Sequence, residues 1–195
     1  MTMSIGIFAF PDMEMLDFAG PYEVFDSASR IGATSDGQEV FRLVVISESY
    51  DPVRVRGGAI LQPQATIADE LELACLIIPG GPGVDAVIEG GAVVTWIIEQ
   101  AARVPIIASV CTGAFILAQT GLLGGLQATT HSRRSDDLRR RFPAVDVVSS
   151  HRWVDVGQFV TSAGVSAGID MALHLVERLV SVDLATATAR RIEIL

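Results

Sequence analysis

Short apolar runs that end at Pro, Gly or acidic residues alternate with segments of helical spacing along most of the chain. Residues 4–10 are apolar without helical spacing and stop at Pro11, which predicts a buried first strand. Gly20-Pro21 is expected to open a helix, with Pro in the first turn and Tyr22, Val24, Phe25 and Ala28 supplying its apolar contacts. Residues 32–39 are polar and read as a loop. Residues 41–47 predict a second strand, 53–60 a hairpin around Gly57-Gly58, and 73–78 another buried strand that ends at Pro79-Gly80-Gly81-Pro82-Gly83. Residues 85–103 have near-helical spacing with a break at Gly90-Gly91. Further on, 105–110 reads as a strand, 113–120 as a helix, 128–130 as a strand end and 135–142 as a short charged helix. Residues 145–149 and 158–162 read as strands, 166–180 as a long amphipathic helix and 185–194 as a last helix.

Continuously apolar strands alternating with helices indicate an α/β architecture, a mostly parallel sheet covered on both faces. With 195 residues and no repeat or linker breaking the pattern, one domain over residues 1–195 is expected. Ligands of such sheets bind at the carboxyl ends of the strands. Three strand ends therefore hold the candidate chemistry: those after Phe10, Ile78 and Val110.

Composition narrows the function. Half of the residues are hydrophobic and 19% are charged, which excludes a disordered chain. No apolar run approaches the roughly 20 residues of a bilayer span, and the N-terminal MTMSIGIFAFPDMEMLD lacks a basic region ahead of its apolar stretch, so a cytoplasmic protein is expected. The net charge of −9 argues against a broad nucleic-acid surface. The only basic cluster, Arg133-Arg134 with Arg139-Arg140-Arg141, is interrupted by Asp136 and Asp137 and reads as a solvated helix face. Lys is absent, which removes Schiff-base, pyridoxal-phosphate and phosphate-loop chemistry. Cys75, Cys111 and three His residues cannot supply the paired motifs of a structural zinc site. No metal or cofactor is expected, and the cysteines read as reduced thiols.

Cys111 is the strongest chemical signal, because it stands where an apolar strand turns directly into a helix. A nucleophile on such a corner is exposed and rigid, and the N-terminus of the following helix favours thiolate. The alternative for Cys111 is a small buried hydrophobe, the reading that suits mid-strand Cys75. Gly80 and Gly81 form either a plain tight turn or an oxyanion hole. Asp17 lies among apolar neighbours; it is either a helix cap or, if buried near Cys111, a proton carrier with a raised pKa. Glu14 and Glu23 are rivals for that role. His131 follows Cys111 by 20 residues, enough for a helix and a strand to bring both to one edge, where a Cys–His pair would activate the thiol. His151 and His174 lack that placement, and His174 reads as a partly buried residue of the long helix.

Together, Phe10-Pro11, Leu16-Asp17, Gly20-Pro21, Ile78-Pro79-Gly80-Gly81, Ser109-Val110-Cys111-Thr112-Gly113, Ala128-Thr129-Thr130-His131 and residues 161–170 (TSAGVSAGID) resemble the ThiJ/PfpI superfamily, in order over nearly the whole chain. The resemblance implies a flavodoxin-like three-layer sandwich related to class I glutamine amidotransferases, usually a homodimer, with a reactive cysteine on a nucleophile elbow. The Asp17 spacing and Cys111-Thr112-Gly113 look most like isocyanide hydratases and the sensor domains of AraC-type regulators. By that resemblance Cys111 attacks the carbon of a small isocyanide, Asp17 shuttles protons and water releases an N-substituted formamide, a hydro-lyase reaction. Thr112 and the Gly80-Gly81 turn would position the thiolate and the charged intermediate. Protease-like and stress-protein branches place a Glu and a His near the cysteine instead, which keeps His131 in play. Close relatives commonly follow the Thr-Thr-His segment with Trp, whereas this chain has Ser132. AraC-type regulators continue into a helix-turn-helix domain, whereas no DNA-binding domain is expected here. Two alternatives to the hydratase therefore stand: a non-enzymatic ligand or redox sensor, and a peptidase or glyoxal-modifying enzyme that requires His131.

Overall fold

The computed structural model describes residues 2–33 and 37–194. In chain order, β1 (Met3–Phe8) leads to α1 (Met15–Ile31), and β2 (Phe41–Ser47) is followed by β3 (Val53–Arg54), β4 (Ile60–Leu61), β5 (Ala65–Thr66) and β6 (Cys75–Ile78). Two helices, α2 (Val84–Gly90) and α3 (Ala92–Gln100), precede β7 (Ile106–Val110), α4 (Gly113–Gln119) and β8 (Gln127–Ala128). A 3-10 turn at Ser132–Arg134 runs into α5 (Ser135–Arg141), then β9 (Asp146–Val147), β10 (Trp153–Asp155), β11 (Phe159–Ser162), α6 (Ala167–Leu179) and α7 (Val182–Arg191).

The apolar runs at 4–10, 41–47, 73–78, 105–110 and 158–162 all supply strands of one seven-stranded sheet, ordered β10-β11-β7-β6-β1-β2-β5. Every neighbouring pair is parallel except β10 with β11 at one edge. β1, β6 and β7 lie at its centre, and Ile5, Ile7, Phe8, Leu76, Ile77, Ile78, Ile107 and Val110 are buried along them. Such continuous burial is what a sheet covered on both faces requires. Helices α1, α6 and α7 pack together, and α2, α3 and α4 form a second group. The mostly parallel covered sheet expected from the pattern, and the flavodoxin-like α/β sandwich that the resemblance implies, are therefore present.

Four expectations need correction. The helix expected to open at Gly20-Pro21 opens at Met15, which places Pro21 in its second turn. Proline there forgoes one intrahelical bond, the one that would reach the Asp17 carbonyl. The burial of Phe18, Val24, Phe25 and Ala28 outweighs that loss. Residues 145–149 yield only β9, which pairs with β8 in a separate two-stranded ribbon. The strand end expected at 128–130 is confined to Gln127–Ala128. The last helix starts at Val182 rather than 185, because the Ser181 hydroxyl caps it by accepting the Leu184 N–H at 3.2 Å.

Other boundaries hold closely. The hairpin turns at Gly57 and Gly58, with φ of +89° and +91°. The 85–103 helix breaks at Gly91, with φ of +75°. Of the loop expected at 32–39, residues 34–36 lie outside the described residues. Half-buried His174 of α6 pairs its Nε2 with Asp155 Oδ2 at 2.6 Å, and Arg178 reaches the same oxygen at 2.8 Å, which ties α6 to the sheet edge. Among the described residues no helix is long and apolar enough to cross a membrane.

Phe25 of α1 meets Phe41 of β2 edge to face, with ring centroids 5.0 Å apart and both side chains buried. Phe25→Ala is expected to cost about 3–5 kcal/mol of stability, read from urea unfolding; a loss below about 1 kcal/mol would show that this contact does not anchor α1.

Candidate active site

β6 lies between β1 and β7, so the loops leaving these three parallel strands meet at the middle of the sheet edge. The chain order runs outward in both directions from the β1/β6 pair, the arrangement that opens a ligand crevice.

Cys111 follows β7 directly and has φ of +57°, a left-handed conformation uncommon for a residue with a side chain. Backbone contacts fix it there. Its N–H donates to the carbonyls of Ser162 and Ala163 at 3.1 and 3.2 Å, and its own carbonyl accepts the Thr130 hydroxyl at 2.7 Å. The turn also needs Gly113, where a Cβ would stand 2.2 Å from the Ile78 carbonyl oxygen.

Asp17 sits in the first turn of α1 but caps nothing. It is fully buried, with Oδ2 accepting the Gly80 N–H at 3.2 Å. The Cys111 thiol lies within reach of the same carboxyl. Its other oxygen, Oδ1, is buried without a partner in hydrogen-bonding geometry among the described residues. Gly81, at φ +137°, donates its N–H to Thr112 Oγ1 at 2.8 Å. The amides of Gly80 and Gly81 thus already have acceptors: they hold Asp17 and Thr112 in place.

Electrostatics couple the acid and the thiol. Burial pushes the Asp17 carboxyl up to about 6, against the pull of the Cys111 contact and the Gly80 N–H, with Glu14 adding a small upward push. The helix-terminus argument predicts a lowered Cys111, and here the structure corrects it. Burial, and then the charge of Asp17, push the thiol up to about 12, while the N–H groups of Thr112 and Val165 pull it back. α4 is only seven residues long, and the two amides do not outweigh burial and the carboxyl beside the sulfur. At neutral pH the pair therefore rests as thiol and carboxylate, sharing one proton.

A cavity of about 410 Å³ opens onto Cys111 and is lined by Glu14, Arg56, Gly81, Pro82, Thr112, His131, Arg133, Arg134 and Val165. His131 reaches this cavity as expected, but its Nδ1 accepts the Arg133 N–H at 3.2 Å. The groups acting on the thiol are Asp17, Thr112 and Val165. Glu14 pairs with Arg56 at 2.8 Å at the mouth. Glu23 is engaged elsewhere, with Ser27 and Arg30. His151 does not line the cavity. Cys75 is fully buried in the core and pushed up to about 12 by burial alone among the raising causes. No group of three or more His, Cys, Asp or Glu among the described residues is placed to hold a metal ion. Sequence reasoning missed Val165, whose φ of +43° turns its N–H toward the sulfur, and the three arginines. Only the Gly164-Val165-Ser166 step after β11 signals the first, and nothing local signals Arg56.

The DJ-1/PfpI family model matches residues 3–178. The chain belongs to the DJ-1/PfpI family. It is 34% identical over 193 residues to an isonitrile hydratase of Pseudomonas putida, covering 99% of this chain and 79% of that protein. It is also 28% identical to the HTH-type transcriptional regulator GbdR of Pseudomonas aeruginosa, over 90% of this chain but 46% of the regulator. Among solved structures, a ThiJ/PfpI family protein from Pseudomonas syringae superposes with a TM-score of 0.86 at 29% identity, covering 99% of this chain and 75% of that one. Family membership therefore leaves both catalysts and regulators among the relatives.

The raised Asp17 carboxyl makes stability depend on pH. Its folded value, about 6, exceeds the ordinary 3.8, so the fold favours the protonated acid, and that favour is lost as pH rises through about 6. Asp17→Asn cannot ionise. Its stability relative to the unmodified protein is expected to rise by about 3 kcal/mol from about pH 4 to about pH 7 and then level off. Chemical unfolding at several pH values checks this; a pH-independent difference would place the Asp17 titration at its ordinary value.

Proposed function

We propose that the protein is a cysteine-dependent enzyme acting on a small electrophilic carbon, and that its reaction is the hydration of an isonitrile to an N-substituted formamide. The observation that carries this reading is the buried pair of Asp17 and Cys111, with Cys111 lining the cavity. Similarity to the Pseudomonas putida isonitrile hydratase over nearly the full chain supports it.

The terminal carbon of an isonitrile accepts a nucleophile and then a proton. In the reading proposed here, the thiol proton of Cys111 passes to Asp17 as the sulfur bonds to that carbon. A carboxyl with a value of about 6 can hold a proton briefly and return it near neutral pH. Asp17 then delivers the proton to the former isonitrile carbon, leaving a thioimidate. Water adds to its C=N bond, its proton passing by way of Asp17 to nitrogen. The tetrahedral adduct expels the Cys111 sulfur, which regains a proton, and the formamide leaves. Atoms balance as isonitrile plus water.

Each neighbour has a task in this sequence. The Thr112 and Val165 N–H groups lower the cost of the transient thiolate. Gly80 fixes Asp17, and Gly81 fixes Thr112. The orphan Asp17 Oδ1 offers an acceptor for the attacking water. His131 has no assigned proton transfer, because it is not among the groups acting on the thiol. Similarity to GbdR favours a second reading, ligand sensing at the same cavity without turnover.

With a neutral aryl isonitrile, formamide formation is expected, falling at least ~10³-fold in Cys111→Ala and about 10²–10⁴-fold in Asp17→Asn, with both variants folded by circular dichroism. Rapid binding of isonitrile without any formamide would replace the hydratase with the sensor.

A further inference from the structure

The protein is acidic overall, with a net charge of −9, yet three arginines and a single acidic residue are among the residues lining the cavity that opens onto Cys111. Two of the three arginines are already engaged. Arg56 pairs with Glu14 at 2.8 Å. Arg134 pairs with Asp137 at 2.8 Å and lies over the Phe115 ring, 4.9 Å from its centroid. The third, Arg133, has no hydrogen-bond or ion-pair partner for its guanidinium among the described residues.

Its backbone is nevertheless firmly placed. The Arg133 N–H donates to His131 Nδ1 at 3.2 Å within the turn Ser132–Arg134, and the next amide, that of Arg134, donates to the His131 carbonyl at 2.7 Å. Exposed Arg133 therefore stands on a fixed backbone anchor among the residues that line the cavity opening onto Cys111. A guanidinium with five donors and no acceptor of its own, beside a cavity of small-molecule size, matches a planar anion.

We infer that the cavity selects a small substrate bearing a carboxylate, held by Arg133, with the electrophilic carbon turned toward Cys111. This rests on the reading of Cys111 as the reacting group. Arg133 is in this view a specificity-determining residue, and Arg56 and Arg134 shape the positive rim without being free to bind.

Two matched pairs of probes test it. Isocyanoacetate and its methyl ester share one isonitrile and differ in charge. Iodoacetate and iodoacetamide share one leaving group and differ in the same way; each alkylates Cys111 by forming an S–C bond with loss of iodide and of the thiol proton. Cys111→Ala controls for reaction at Cys75, and Arg191→Gln, on the exposed end of α7, controls for loss of a positive charge. The expected result is a preference of about tenfold or more for the anionic member of each pair, the effect of one charge-assisted hydrogen bond. Arg133→Gln should bring both ratios close to those of a free thiol and of the ester, chiefly through KM, while Arg191→Gln leaves them as they were.

Preferential alkylation by iodoacetate that depends on Arg133, with neither isonitrile hydrated, would uphold the anion site and overturn the hydratase. Hydration of both isonitriles without preference, or ratios that Arg133→Gln leaves unchanged, would uphold the hydratase and overturn the anion site.

Discussion

The site depends on one backbone constraint, the left-handed turn of Cys111 between β7 and α4. Three hydrogen bonds hold that turn, two from the Cys111 amide to the β11 end and one from Thr130 to its carbonyl. They join the ends of β7 and β11 to the segment after β8. With the turn fixed, the sulfur lies within reach of the Asp17 carboxyl. The loop after β6, the strand between β1 and β7, supplies the Gly80 amide that orients Asp17. Parallel sheet order, rather than sequence proximity, therefore brings residues 17, 80, 111 and 165 together.

Strand spacing made the sheet legible. The runs ending at Phe10, Ile78 and Val110 are apolar because both faces of the sheet are covered, and each marks a loop that reaches the site. The edges were less legible, since β5 and β10 are two and three residues long and carry no run. α1 was misplaced at its start because a buried carboxyl interrupts the apolar stripe and Pro21 imitates an N-terminal signal. Asp17 stands in the first turn of α1, yet its carboxyl meets the Gly80 amide and the Cys111 thiol rather than the helix start.

Within the site, Cys111, Asp17, Thr112, Gly80 and Gly81 could be singled out from local motifs, and all five meet in the structure. Electrostatics could not be read the same way. A helix start beside a cysteine suggests a thiolate, but the sign depends on what else is buried there, and only the fold shows Asp17 against the sulfur. Val165 escaped for a similar reason, as positive φ is not expected of a β-branched residue. Arg56 arrives from the β3–β4 hairpin, far in sequence from the loops that carry Gly80 and Cys111.

A thiol with a value of about 12 is ionised to roughly one part in 10⁵ at neutral pH. Peroxides attack thiolates, and oxidation to sulfenic acid follows the ionised fraction and exposure. The burial that raises the Cys111 thiol thus also lowers the thiolate fraction on which such oxidation depends, so the same packing that brings Asp17 to the sulfur disfavours its oxidation at rest.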